Sequence, residues 1–548
     1  MTSFAPKKRC GVVLPISIFL FFFFLYSLTM QGIPTGGDAW GMYLVTKNVA
    51  DNGSVFLPPS DMVVLRTGRD GRPVSKYGIG QSLAEAPAYI IARAVAERSR
   101  NIDPETAAYF VTSFTSPVVC ALLCTVVFLF CLQLGYGAGA ACIIAMFTGA
   151  GSMIWPQSKT LFSEPFQALC LTAGFYHLLL FKEKQKTNPM NACAAGFFLG
   201  MMTATKPFLA FILIPLISYF LISMVKGGWK RPGATASAVL FFGALAAWGA
   251  LILYYNYLRF GDVMQFGYLG GTDRDGIYAF KTPLLIGIHG LLLSPGKGLI
   301  YYSPILILSI AAYKNFAVRH RAEAIVIAAV AVIIVLAYSK WNAWHGDFSW
   351  GPRFLSPVVP LLLLVASGLF EPGGIAAKAW GKLLIAVFFA VSFFVQILGV
   401  TVNYNEYIIM TKSDAPYDIF DVSNKIDLRD DLLNVHYIPE FSPLTGHYWA
   451  FKKMIAERIS REKRQGAAQD GSPWNSLIMH AVPKNTARLF GIDTWWRYLS
   501  GFYPETRVWV YPLAWVIAVL LLISGVSVAV SLYFIRKPEE GTNGPAAS

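Results

Sequence analysis

Apolar runs of about 20 residues recur along almost the whole chain, parted by short polar connections, and that spacing predicts a bundle of membrane-spanning helices. The first run, "GVVLPISIFLFFFFLYSLTM", follows Lys7, Lys8 and Arg9. No small-residue cleavage site comes after it, so it reads as a retained span rather than a signal peptide. Further spans are predicted at roughly 108–132, 137–153, 164–181, 189–204, 206–224, 234–256, 298–313, 321–339, 354–369, 380–401 and 511–534, about twelve in all. The stretch 79–98, "IGQSLAEAPAYIIARAVAER", departs from the pattern. Its Glu85, Arg93 and Glu97 recur at helical spacing beside apolar residues, which predicts an amphipathic helix lying on the membrane surface.

The fold class expected is therefore an all-α polytopic membrane protein. A transmembrane module over 1–401 would carry surface helices in its first outer loop, 31–107. An outer segment, 402–510, is too long for a simple connector and would cover the module as a small cap or a set of surface helices. A final span and tail, 511–548, would complete the chain.

Composition agrees. The chain has 548 residues, 55% hydrophobic and 14% charged, against roughly 25% charged in soluble domains. Its formal charge of +14 raises nucleic acid as a partner, but the basic residues sit mostly in short connections. "KEKQK" after Phe181, "KGGWKR" from Lys226, "YKNFAVRHR" from Tyr313 and "AKAWGK" from Ala377 fall on one side of the predicted bundle, with "KKR" and "RKPEE" at the termini. The positive-inside rule then places that side in the cytoplasm of a multi-pass membrane protein, and no nucleic acid is needed. The seven cysteines lie in or beside apolar runs without metal-ligand spacing, so neither disulfides nor a metal cluster is expected.

Charges inside a membrane protein mark its chemistry, because they are costly there. On the outer side of this map stand Asp38 in "TMQGIPTGGDAWGMYLV", Lys76, Tyr77 and Gln81 in "PVSKYGIGQS", and Trp155, Lys159 and Glu164 further along. Two later corners, "LLLSPGKGLIYYSPILIL" and "WNAWHGDFSWGPRFLSP", add Lys297, Trp344, His345, Asp347 and Arg353. Asp38 and Glu164 are the candidate catalytic pair, since a carboxylate in reach of a hydroxyl can take its proton as a bond forms. Each has a bland reading too. Gly-Gly-Asp is turn chemistry, and an acid at a helix start favours the helix dipole. Lys206 in "GMMTATKPFLAFILIPLI" sits at an outer turn and could snorkel or face a phosphate. Lys76, Lys206, Lys297 and Arg353 are the candidate phosphate-binding cations, and Tyr77, Gln81, Trp344 and His345 the candidate acceptor or sugar pocket. The charged run Asp427, Arg429, Asp430 and Asp431 reads as a solvated cluster. Two carboxylates could share a divalent cation, but nothing in the spacing supports one, and no cofactor is predicted. No phosphate-binding P-loop or dinucleotide turn is present either, so an activated sugar would arrive on a lipid carrier.

In these segments the sequence resembles the integral-membrane glycosyltransferases of the GT-C class, in the group that includes protein O-mannosyltransferases and the aminoarabinose transferase of lipid A. The resemblance runs over roughly 11–400. It matches the family's first-loop acid to Asp38 in "GGDAWGMYLVTKNVADNG", its loop lysine to Lys76 in "SKYGIGQSLAEAPAY", a second acid to Glu164 in "LFSEPF" and a donor-phosphate lysine to Lys206 in "ATKPF". Here Asp38 is followed by Ala39 rather than a second acid, and the family's double proline after Lys76 is missing. The resemblance implies a GT-C-like bundle. It also implies an enzyme that moves a sugar from a polyprenyl-phosphate donor to a glycan, lipid or protein of the cell envelope, at the outer face of a bacterial inner membrane. Inverting transfer, with Asp38 as base, is the expected chemistry. A transporter or flippase of a lipid-linked saccharide is the rival, although no inverted repeat is evident. A scaffold presenting 402–510 is a third reading.

Overall fold

A computed structural model describes residues 11–34, 37–60, 63, 65–99, 101–183, 188–228, 232–268, 280–346, 349–404, 407, 436–463 and 492–536. Asp347 and the charged run at 427–431 lie outside the described residues.

Among the described residues the elements are helices and one small antiparallel ribbon. They open with α1 (Val13–Thr29) and α2 (Gly37–Asn52), then β1 (Arg66–Thr67) and β2 (Pro73–Val74), and continue with α3 (Gly80–Ala96), α4 (Pro104–Thr112) and α5 (Thr115–Gln133). Next come α6 (Ala138–Gly149), the single turn α7 (Ile154–Gln157), α8 (Glu164–Glu183), α9 (Pro189–Thr205), α10 (Leu213–Gly227) and α11 (Ala234–Phe260). After them run α12 (Leu284–Leu293), α13 (Leu299–Tyr302), α14 (Leu306–Arg319), α15 (Arg321–Lys340), α16 (Val359–Val365) and α17 (Ala379–Thr401). Three further helices, Pro443–Lys463, Trp495–Phe502 and Arg507–Arg536, follow.

Local sequence explains several boundaries. Asp103 caps α4 by accepting the Thr106 backbone N–H at 2.9 Å, with Pro104 as first helical residue, and Asn188 with Pro189 does the same for α9. Proline suits that position because its missing N–H would have no partner there. Gly261 ends α11 in the left-handed conformation, φ 74°.

Six helical stretches among the described residues are long and apolar enough to cross a membrane: Pro104–Gln133, Pro207–Gly227, Ala234–Phe260, Arg321–Lys340, Ala379–Thr401 and Pro504–Ile535. The expected dozen spans is thereby corrected. Apolar runs at 137–153, 298–313 and 354–369 are real, but breakers divide or shorten them. Pro304 follows a non-helical Ser303 and separates α13 from α14. The third run holds only the seven residues of α16 between two 3-10 turns. Conversely, the stretch 257–297, which falls between two of the predicted spans, contains α12, a ten-residue apolar helix packed so closely on α15 that a Cβ on Gly287 would meet the Ser339 carbonyl.

The main core joins α1, α5, α6, α8, α9 and α16 through residues such as Phe22, Phe128, Phe130, Phe175 and Leu364. The last helix packs along α1, with Ser17 and Ser527 hydroxyls 2.6 Å apart. A second core, built on Trp40, Tyr43, Tyr89 and Tyr109, joins α2, α3 and α4. Helix α3 buries part of its expected polar face, Glu85 included, and exposes apolar side chains. Gln81, Ser82, Glu85 and Tyr89 are buried against the protein, whereas Leu83, Ile90, Ile91 and Val95 are exposed. Glu85 accepts from Thr46 and Gln81, each at 2.9 Å, and burial pushes its carboxyl up to about 8.

Candidate active site

The charged residues gather at one end of the bundle, where α8 begins and α9, α11 and α15 finish. Asp38 stands in the first turn of α2, behind Gly37 at φ 66°. There the helix dipole favours its negative charge. Its Oδ2 accepts from the Arg353 guanidinium at 2.6 Å, and its Oδ1 accepts from the Tyr77 hydroxyl. Burial alone would raise the Asp38 carboxyl. Arg353, Lys76 and the Tyr77 hydrogen bond outweigh it and hold the group well below the usual carboxylate range. Tyr77 moves the other way, raised by burial and by Asp38, so it stays a hydroxyl donor.

Arg353 is 3% exposed in a 3-10 turn and bridges two acids. Its Nη1 lies 3.9 Å from Oε1 of Glu164, the first residue of α8, and Lys206 Nζ lies 3.7 Å from the same oxygen. Glu164 Oε2 is buried without a hydrogen-bond partner. The four side chains thus alternate in sign: Asp38, Arg353, Glu164, Lys206. Glycine permits this approach at 346, where φ is 71° and a Cβ would sit 2.8 Å from Arg353 Cγ.

Lys206 occupies an extended residue between α9 and a 3-10 turn, a conformation that the following Pro207 favours. Its ammonium lies over the rings of Phe354, at 4.1 Å, and Tyr338, at 5.1 Å. Burial, with the nearby Arg353 charge, pulls it down to about 8 against the opposing pull of Glu164. The loop carrying Lys76 and Tyr77 is pressed onto the end of α9. A Cβ on Gly78 would meet the Ala204 carbonyl at 2.3 Å, and one on Gly80 would meet Thr205. The "GIG" of that loop therefore serves close packing. Buried Arg259, near the end of α11, donates to the Ser75 and Tyr77 carbonyls at 2.6 and 2.9 Å and fixes the loop from behind.

Asp38, Lys76, Tyr77, Lys206 and Arg353 line one cavity of about 380 Å³. Its remaining wall is mostly aromatic: Phe208, Phe211, Phe266, Tyr268, Phe280, Tyr338, Trp341 and Phe354. Tyr338 and Phe354 stack at 4.7 Å between centroids. The cavity joins a face for apolar or sugar-ring contact to a cationic corner that holds a carboxylate. Glu164 does not line it, but stands behind Lys206 and Arg353.

Other expected site residues lie elsewhere. Gln81 bonds Glu85 inside the α2–α3 platform. Lys297 is fully buried and donates to the Ser349 carbonyl, with its ammonium 4.9 Å from the Tyr404 ring centroid. Trp344 and His345 pack on His436, with centroids 5.7 and 4.9 Å away. Lys159 forms a separate buried ion pair with Asp493, which also accepts from Gln31, Asn403 and Tyr498. Sequence reasoning missed Arg259 and the aromatic wall. A lone arginine near a span end in "YYNYLRFGD" was a usable sign for the first. Nothing local distinguishes the wall, because the chain holds 40 phenylalanines and 26 tyrosines. No group of three or more His, Cys, Asp or Glu that could hold a metal ion occurs among the described residues. Asp38 and Glu164 both already face Arg353.

The chain is thus an all-α polytopic membrane protein with a charged, aromatic-walled cavity at one end of its helices. No protein-family model matches it, and no curated protein sequence matches it. Among solved structures it is similar to ArnT from Cupriavidus metallidurans bound to undecaprenyl phosphate, at 14% identity and a TM-score of 0.49, over 83% of this chain and 81% of that one. The apo structure of the same protein gives 16% identity and a TM-score of 0.46, over 82% and 80%.

Proposed function

We propose that the chain is a glycosyltransferase that moves a sugar from a polyprenyl-phosphate donor to a hydroxyl acceptor of the cell envelope, at the outer face of the inner membrane, with inversion. The observation that carries this reading is the Asp38–Arg353 ion pair on the wall of the aromatic cavity, with Lys76 and Lys206 beside it. A base and a phosphate site within one cavity are what a single displacement needs. Aromatic faces suit both the sugar ring and the first isoprene units.

In this reading the donor phosphate competes with Asp38 for Arg353. While paired, Asp38 is a weak base. As the phosphate draws the guanidinium away, the carboxylate loses its strongest stabilising charge and becomes basic enough to accept a proton. The acceptor oxygen attacks the anomeric carbon, and its proton passes to Asp38. The bond from that carbon to the phosphate oxygen breaks, and its electron pair stays on the lipid phosphate. Arg353, Lys206 and Lys76 stabilise the charge that develops there, a term that is commonly large in group transfer. Glu164 keeps Lys206 and Arg353 charged and aimed.

The test uses purified full-length protein with sugar-labelled polyprenyl-phosphate donors and an envelope extract as acceptor. Release of free polyprenyl phosphate together with a labelled acceptor supports the reading. Donor that binds but is only moved across vesicle membranes, intact, makes the chain a flippase. Undecaprenyl phosphate, the lipid of the ArnT complex, is the binding probe.

A further inference from the structure

A second open space lies at the other end of the bundle, far from Asp38. A cavity of about 790 Å³ opens between the end of α8, the length of α10 and the start of α15. Pro215, Ile222, Met224 and Val326 help to form its apolar floor and walls, and Lys182, Lys226 and Arg321 stand at its rim. We propose that this cavity binds an anionic phospholipid, with the acyl chain in the groove between α10 and α15 and the phosphate at Lys226 and Arg321.

Three features argue for that occupant. First, the rim is net positive. Glu323 accepts from Lys182 Nζ and from the Tyr219 hydroxyl, each at 2.6 Å, which neutralises Lys182. Lys226 and Arg321 are exposed and have no acidic partner among the described residues. Second, the polar groups inside are already satisfied by the helix itself. Ser218 donates to the Ile214 carbonyl and Ser223 to the Tyr219 carbonyl, so the interior asks for hydrocarbon rather than a polar solute. Third, the groove continues onto lipid-facing surface, with Ile222 54% and Ile325 57% exposed. A free phosphate would satisfy the rim and leave the apolar groove unfilled. A neutral lipid would fill the walls and leave the rim without a counter-charge. Basic pockets between membrane helices meet both demands with an acidic phospholipid. The site lies at the ends of α8 and α10 and the start of α15, on the side that the positive-inside pattern assigns to the cytoplasm, so the lipid would come from the leaflet opposite the transfer site.

The experiment measures thermal unfolding and native mass spectra of the full chain in neutral detergent. Phosphatidylglycerol, phosphatidylcholine and inorganic phosphate are titrated separately. Phosphatidylglycerol should raise the unfolding midpoint and stay bound in the gas phase. The Lys226→Gln/Arg321→Gln double variant should weaken its apparent affinity by roughly tenfold or more, since each cation contributes a few-fold. The charge-keeping pair Lys226→Arg/Arg321→Lys should bind normally. Ile325→Trp, which fills the groove and keeps the rim, should lose the lipid even if the double variant fails to fold. Equal binding of phosphatidylcholine, equal stabilisation by inorganic phosphate, or unchanged affinity in both the double variant and Ile325→Trp would overturn the proposal. Asp38→Asn should leave this binding untouched, which separates the outcome from that of the transferase reading.

Discussion

Helix α8 begins at Glu164 and finishes beside Lys182, and a buried carboxylate meets cations at each end, yet the two clusters are built differently. At the far end Glu323 receives two hydrogen bonds at 2.6 Å, and its partner Lys182 reaches water with 39% of its side chain exposed. That cluster is complete. At the near end the cations stand 3.7 and 3.9 Å from Glu164, one of its oxygens has no partner, and Arg353 is divided between two acids. The difference teaches what each is for. A saturated pair locks helix ends together, whereas alternating charges held slightly apart on a cavity wall can regroup around an incoming anion.

Removing the carboxylate of Asp38, the base proposed above, breaks the comparison most severely. Asp38→Asn keeps the size of the side chain and can still accept from Tyr77 and Arg353, but it cannot take a proton as a carboxylate does. Turnover at saturating donor and acceptor should fall by roughly 100-fold or more, while undecaprenyl phosphate binding, followed by thermal shift, persists. Near-normal turnover would return Asp38 to the role of a helix-start residue.

Arg353→Lys comes next. Lysine is a point charge and cannot bridge Asp38 and Glu164 in the way a planar guanidinium does. Transfer should fall roughly tenfold, through both donor affinity and turnover, if Arg353 exchanges Asp38 for phosphate. Unchanged kinetics would mean that the ion pair is structural and the phosphate site lies elsewhere.

The near cluster was partly legible in the sequence, and the far one was not. Asp38, Lys76, Tyr77, Lys206 and Arg353 each stood as a polar residue at a Gly- or Pro-marked corner beside an apolar run, and the fold brings all five to one cavity. Lys297 carried the same sign in "SPGKG", but its chain turns the ammonium to the Ser349 carbonyl. A corner of glycine and proline encodes a bend, not the direction of the side chain within it. Trp344 and His345 failed for the same reason, packing on a histidine 91 or more positions away in the chain. The broken helices at 298–313 and 354–369 were hidden because hydropathy records apolar surface and not backbone continuity. Lys182–Glu323 joins helices far apart in sequence, and such pairings have no local pattern at all.

A pH series sharpens the contrast through Lys206. Its folded-state value is about 8, below the ordinary 10.5. Between these values the folded protein binds fewer protons here than the unfolded chain, so this group's contribution to stability rises with pH across that window. Phosphate binding should do the reverse and weaken by a few-fold, with a midpoint at or somewhat above 8, since the bound anion itself favours the cation. Lys206→Arg keeps its charge throughout and should abolish the decline. A decline that survives the substitution would remove Lys206 from the donor site.

The smallest expected effect belongs to the far cluster. Glu323→Gln keeps an oxygen for Tyr219 and deletes only the charge facing Lys182. Because that lysine can turn to water, the loss should be below about 1 kcal/mol, or no more than about 2 °C in the unfolding midpoint. The variant also leaves Lys182 unneutralised at the rim of the lipid cavity, so phosphatidylglycerol should bind it at least as tightly as the wild type. Transfer and undecaprenyl phosphate binding should not change, since Glu323 sits at the opposite end of α15 from Tyr338 and the Asp38 cavity. A fall in turnover comparable to that of Arg353→Lys would mean that the two ends are coupled through α15, and the division between a locking end and a reacting end would have to be given up.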